Sequence, residues 1–147
     1  MKISRREIRE KALQALFQIE TNRDLDKDEA IQNALNSDQE NQEEMDELLP
    51  VPEYLDELVS GVLEHQEEID RMITKHLRNW SIKRLAKTDL LILRIGVYEL
   101  LYQQETPANV VMNEAIEITK EYSDEDASKF VNGVLSSVHR TTPKEAE

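Results

Sequence analysis

The segment 85–103 restricts the fold more than any other part of the chain. Its apolar residues occur on nearly every side of a helix instead of on one face. A helix of this kind must be covered by other helices, because water would otherwise contact its large apolar side chains. The sequence therefore predicts an all-α fold in which this segment is the central, buried helix.

The rest of the chain follows the spacing of amphipathic helices. Apolar residues repeat at this spacing over 5–21, 28–36, 53–77, 108–122 and 127–138. Gly61 is a weak point that the 53–77 stretch tolerates, as one long helix or two in series. Trp80 is expected to fill the corner of a joint between helices. We predict an all-α bundle of about seven helices.

The length of 147 residues suits one domain with its own hydrophobic core. Within 1–147, the segment 37–51 is acidic, has a weak apolar pattern and is predicted to be a mobile connection. The polar tail 141–147 is expected to fray.

Several classes of function find no support in the residues. The chain has no cysteine and only three histidines, none at a metal-ligand spacing, and it has neither a glycine-rich phosphate loop nor a GxSxG motif. We therefore expect no enzyme activity, cofactor or metal. No apolar stretch reaches the length of a membrane span and no signal segment is present, which indicates a cytoplasmic protein without a membrane partner.

The net charge of −13 would ordinarily argue against nucleic acid as a ligand. However, residues 24–70 hold 17 acids and one lysine, whereas residues 1–23 carry a net +3 and residues 71–102 a net +5. Salt screens distant charge beyond about 8 Å. A polyanion near either basic segment would therefore meet positive charge.

The first helix has a basic start. Ser4 and Glu7 have the spacing of a capping box, and four basic residues follow one side of the helix over roughly a 100° arc. They are Lys2, Arg5, Arg6 and Arg9. The same side becomes apolar further along, so we expect the later turns to dock and the start to overhang. Positive side chains are unfavourable near the positive N-terminal end of the helix dipole, but they become favourable when phosphates bind there. The alternative is a solubilising end paired with Glu7 and Glu10.

Three motifs in the second half are more specific. They are LRIGVYEL at 93–100, NEAIEITK at 113–120 and KFVNGVL at 129–135. In this order they resemble segments of the NusB transcription antitermination family, and ALQALF at 12–17 also fits the start of that family. The resemblance covers about 1–20 and 75–140 and is vague over 22–60. Arg94 and Glu99 are expected to form an ion pair or to serve as hydrogen-bond anchors. Gly133 is expected to let two helices approach closely.

The resemblance implies two three-helix subdomains and a function in transcription. Proteins of this family bind boxA RNA, a single-stranded sequence, together with NusE, a ribosomal small-subunit protein. The assembly helps RNA polymerase to read through terminators, notably in ribosomal RNA operons. The resemblance therefore implies boxA RNA, NusE and the RNA polymerase antitermination complex as partners.

The resemblance also implies particular site residues. Arg5, Arg6 and Arg9 match an RNA-binding arginine stretch, Asp126 matches an acidic RNA-contact position, and Asp89 matches an acid at the NusE surface. The predicted RNA-binding set is Lys2, Arg5, Arg6, Arg9, Asp126 and Lys129. Ile8 stands where some relatives extend the basic run, which indicates a lower RNA affinity.

One related class of protein does not fit the length of the chain, and two questions stay open. A similar domain begins certain ribosomal RNA cytosine methyltransferases, but their catalytic domain needs several hundred more residues than this chain has. A helical adaptor that binds only proteins would not contact RNA at all. The free protein is a monomer or a homodimer.

Overall fold

The computed structural model describes residues 3–37 and 48–142. These residues form seven α-helices and one short 3₁₀ helix, Ile82–Arg84. The α-helices are α1 (Arg5–Thr21), α2 (Lys27–Asn36), α3 (Glu53–Glu64), α4 (Gln66–Lys75), α5 (Lys87–Tyr102), α6 (Ala108–Tyr122) and α7 (Glu125–Thr141). No strand occurs in this part of the chain, and the prediction of an all-α fold with about seven helices is confirmed.

Some sequence predictions fall outside the described residues. Lys2 is one of them, as are residues 38–47 of the predicted mobile connection and residues 143–147 of the predicted frayed tail. Among the helices of 3–37 and 48–142, none combines the length and apolar character needed to cross a membrane.

The chain divides into two compact units, residues 1–60 and 61–147. In the first unit, α1 begins with the predicted capping box: the Ser4 hydroxyl accepts a hydrogen bond from the Glu7 amide at 3.0 Å, and the Glu7 carboxylate accepts one from the Ser4 amide at 3.0 Å. The later turns of α1 pack against α2. Lys27, at the start of α2, donates to the Asp56 carboxylate of α3 at 2.8 Å and to Ser60 at 2.9 Å.

In the second unit, α5 is the central helix, as the sequence predicts. Every residue from 90 to 100 is buried, and α5 packs against α4, α6 and α7. Arg94 is part of this buried stretch and pairs with Asp70 of α4 through two hydrogen bonds, Nε to Oδ1 at 2.8 Å and Nη2 to Oδ2 at 2.9 Å. The ion pair of Arg94 is therefore with Asp70, a partner that the sequence did not indicate.

The helix tolerates Gly61 as predicted, whereas the role expected of Gly133 is not found. The helix α3 continues through Gly61, and the break between α3 and α4 occurs at His65. A Cβ atom at Gly61 would overlap the ring of Tyr98, and one at Gly96 would lie 2.9 Å from Leu135 Cδ1. Gly133 is exposed and a Cβ there would meet nothing within 4 Å. The expectation of close helix approach at Gly133 is wrong, because α7 turns this position to solvent.

Candidate nucleic-acid interface

The start of α1 presents two exposed arginines, Arg5 and Arg6. The Arg5 guanidinium carbon lies 4.0 Å from the centroid of the Tyr54 ring, a distance at which the positive charge is attracted to the negative face of the ring. Tyr54 is itself buried in the first turn of α3. Both arginines are exposed as predicted, although Arg5 also packs on α3 through Tyr54.

Arg9 differs from them because only 4% of it is exposed. On the helical wheel Arg9 falls between Leu13 and Leu16, which are both buried core residues. The face of α1 that packs on the core therefore already includes Arg9, about one turn before Ala12, where the sequence pattern placed its beginning. The overhang expected of the whole basic stretch is wrong at Arg9, and Arg9 would have to leave its buried position to contact RNA.

The start of α7 carries the predicted acidic and basic residues of the second unit. The side chain of Asp124 accepts a hydrogen bond from the Ala127 amide at 2.7 Å and caps the helix. Asp126 and Lys129 are both exposed and are three positions apart, so they share one face of α7. Since Asp124 provides the cap, the Asp126 carboxylate is not needed for it.

Asp89 lies in the first turn of α5, close to the start of α7. Burial raises the pKa of Asp89, a hydrogen bond with Ser123 lowers it, and the negative charge of Asp124 raises it further. Its Oδ1 atom is buried and accepts no hydrogen bond from any residue in 3–37 or 48–142. Asp89, which is predicted to contact a protein partner, therefore lies close to the start of α7. The same helix start carries Asp126, which is predicted to contact RNA.

The exposure of Trp80 was not predicted from the sequence. Trp80 was expected to fill a corner of the fold, but it is 51% exposed, and the Arg84 guanidinium lies 5.2 Å from its ring centroid. The signal that identifies this region is the surrounding charge, because residues 71–88 contain six basic residues and no acid. Within the described chain, no cluster of three or more histidine or carboxylate ligands is placed to hold a metal ion.

Comparison with known proteins is consistent across sequence and structure. The NusB family matches residues 6–140. The transcription antitermination protein NusB of Enterococcus faecalis is 50% identical over 145 residues, which cover 98% of this chain and 94% of that protein. NusB of Bacillus subtilis is 47% identical over 136 residues, 92% of this chain and 95% of that protein.

Solved structures show the same fold. T. maritima NusB superposes with a TM-score of 0.81 at 34% identity and covers 99% of this chain and 97% of its own. A chain from the complex of the antitermination factors NusB and NusE with double-stranded RNA gives a TM-score of 0.76 at 30% identity, and covers 94% of this chain and 97% of its own. The chain described here thus belongs to the NusB family of transcription antitermination proteins.

Proposed function

We propose that this protein binds boxA-type RNA together with NusE, and that it supports processive transcription of ribosomal RNA operons within the RNA polymerase antitermination complex. The observation that carries the proposal is the pair of exposed guanidinium groups at the start of α1, Arg5 and Arg6, on a NusB-family fold. The solved complex of a relative with NusE and double-stranded RNA supports NusE and RNA as classes of partner.

In this proposal Arg5 and Arg6 contact RNA phosphates. A guanidinium group has N–H donors in a planar fork that matches two phosphate oxygens, and the free amides of a helix N-terminus also favour an anion. Lys129 adds a further cation on α7. A carboxylate repels phosphate, so Asp126 instead accepts hydrogen bonds from base edges.

Asp89 is proposed to contact NusE. Its buried Oδ1 has no donor among the residues that the structure describes, and leaving a buried acceptor without a partner costs free energy. Asp89 as a whole is only half-buried, so a protein partner would contact its accessible part, and a partner's donor would reach Oδ1 once the side chain turns. Because Asp89 is beside the helix start that carries Asp126, NusE bound there would also be near the RNA, and each ligand would then enhance the binding of the other.

We expect Arg6→Ala to reduce the salt dependence of RNA binding. Each phosphate contact on single-stranded RNA contributes about −0.7 to the slope of log K against log salt concentration, so the variant should flatten the slope by about 0.7. Stability should change by less than about 0.5 kcal/mol, because the side chain is exposed. Binding of a boxA RNA at several salt concentrations, together with a melting curve, measures both.

Arg23→Ala is the matched control, since Arg23 is exposed and follows the end of the same helix. It should leave the slope unchanged. If Arg6→Ala gives the same slope as Arg23→Ala, the basic start of α1 is a solubilising end and not an RNA contact. Failure of the wild-type protein to retain RNA at low salt would favour the protein-binding adaptor.

We expect Asp126→Asn to alter RNA sequence preference without loss of stability. Asparagine replaces one acceptor oxygen by a donor group, which changes the base edges that the side chain recognises. Asp124→Ala should do the opposite, because removing a helix N-cap costs about 1 kcal/mol but removes no proposed RNA contact. Both variants are measured against boxA RNAs with single-base changes. If Asp126→Asn keeps the wild-type ranking of these RNAs, Asp126 does not read bases.

A further inference from the structure

The connection between α4 and α5 carries an unusual concentration of positive charge. From residue 71 to residue 88 the chain contains six basic residues and no acid. Four of them are exposed and form no ion pair with any residue in 3–37 or 48–142: Lys75, Arg78, Lys83 and Arg84. This differs from other cations of the protein such as Lys27, Arg94 and Lys120, which are paired with carboxylates.

The fold brings the segments that carry these cations close together. The 3₁₀ helix Ile82–Arg84 packs back against α4, so that Lys83 and Arg84 return towards the helix that ends at Lys75. The end of α7 is also close, because His76 is hydrogen-bonded to Ser137 at 2.7 Å. The positive charges of Lys75 and of Arg140, in the last turn of α7, both act on His76. No carboxylate from α7 or the connection offsets this charge at His76.

Trp80 lies within this basic region with half of its surface in contact with water. An exposed tryptophan leaves a large apolar ring hydrated, which is unfavourable unless a ligand covers it. Unpaired cations beside an exposed ring are the combination that binds single-stranded nucleic acid: the cations contact phosphates and the ring stacks on a base. The carboxylate side chains of an acidic peptide would contact the cations but carry no ring to stack on the indole, whereas every nucleotide of RNA carries both a phosphate and a planar base.

We propose that Lys75, Arg78, Trp80, Lys83 and Arg84 form a second RNA-binding surface, the Trp80 surface, on which a base of single-stranded RNA stacks against Trp80 while the basic side chains contact its phosphates. The proposal rests on the RNA-binding function proposed above and adds residues outside the predicted set. Arg84 lies over the indole ring, 5.2 Å from its centroid, so the base stacks on the face that Arg84 leaves open.

Trp80 is the only tryptophan of the chain, and its fluorescence therefore reports on this surface alone. Titration of the wild-type protein with single-stranded boxA RNA should quench this fluorescence as the base stacks. Titration with inorganic polyphosphate, which has charge and no bases, should leave most of the fluorescence intact. Equal quenching by polyphosphate would show a site for anions without base stacking and would overturn the proposal.

Variants distinguish the contribution of the Trp80 ring to RNA binding from that of the basic side chains. Trp80→Ala should weaken boxA RNA binding about fivefold or more, whereas Trp80→Phe, which keeps an aromatic ring and guards against a folding defect, should retain most of the affinity. Lys83→Gln should flatten the salt slope by about 0.7. Lys120→Gln is the control, because Lys120 is exposed in the same unit but paired with Glu117, and it should not change the slope.

The outcomes distinguish this inference from the proposed function. If RNA binding is weakened by Arg6→Ala but not by Trp80→Ala, and RNA leaves the Trp80 fluorescence unchanged, the Trp80 surface does not bind RNA and the proposed function stands. If the wild-type protein does not bind boxA RNA, both proposals fail. Binding of an acidic protein to the Trp80 surface in preference to RNA would also overturn the inference.

Discussion

Asp70→Ala is expected to lower the free energy of unfolding by about 3 kcal/mol, because it leaves a buried guanidinium group without its bidentate carboxylate. The side chain of Arg94 is 6% exposed and that of Asp70 is 26% exposed. Arg94 cannot lose its charge, and the surrounding α5 residues are buried, so water cannot easily replace the lost carboxylate. Chemical denaturation of the wild-type protein and of Asp70→Ala measures this difference, provided that the free energy of unfolding depends on denaturant concentration with the same slope in both.

The chain offers a matched control in the ion pair between Lys27 and Asp56. Its N–O distance is also 2.8 Å, but its side chains are 32% and 48% exposed. Water and salt screen this pair, so Asp56→Ala should cost about 1 kcal/mol or less. Equal losses in the two variants would mean that burial does not set the contribution of the Arg94–Asp70 pair.

Gly61→Ala is expected to destabilise the protein by about 2 kcal/mol. The new Cβ would lie 2.7 Å from the Tyr98 hydroxyl oxygen and closer still to the ring carbons Cε1 and Cζ. Tyr98 is a buried residue of α5, so its ring has little room to move, and overpacking of this kind costs about 1–3 kcal/mol. The overpacking cost should be near the top of that range. The net loss is smaller, because alanine favours a helix over glycine by about 1 kcal/mol.

Gly133→Ala is the same substitution in open space, and it should raise the stability by about 1 kcal/mol. The two thermal midpoints should therefore move in opposite directions. A double-mutant cycle with Tyr98→Ala locates the clash, because Gly61→Ala should cost less once the ring is absent. A loss of stability that is the same with and without the Tyr98 ring would contradict the explanation.

The helices were predictable from the sequence where local signals were strong. Ser4 and Glu7 specify the start of α1 through backbone hydrogen bonds within four residues, so no tertiary contact is needed to place it. The burial of α5 was predictable because a helix that is apolar all round has no side that favours water.

The features that sequence did not reveal depend on tertiary packing. The wheel places Arg9 among apolar residues, but only the structure shows that the docked side of α1 includes it. Helical spacing does not say which glycine faces a ring, so close approach was expected at Gly133, whereas the structure places it at Gly61. Trp80 was expected in a corner because large rings are usually buried, whereas its neighbours along the chain are charged and its connection turns it to solvent.

The contact between Arg5 and Tyr54 has a consequence for the entropy of ligand binding. A free arginine side chain loses rotational freedom when it binds, at a cost of about 0.5–1.5 kcal/mol. Arg5 is already held 4.0 Å above a buried ring, so much of this freedom is lost during folding and not during binding. The protein thus keeps at the start of α1 a cation whose position is restricted before any ligand binds.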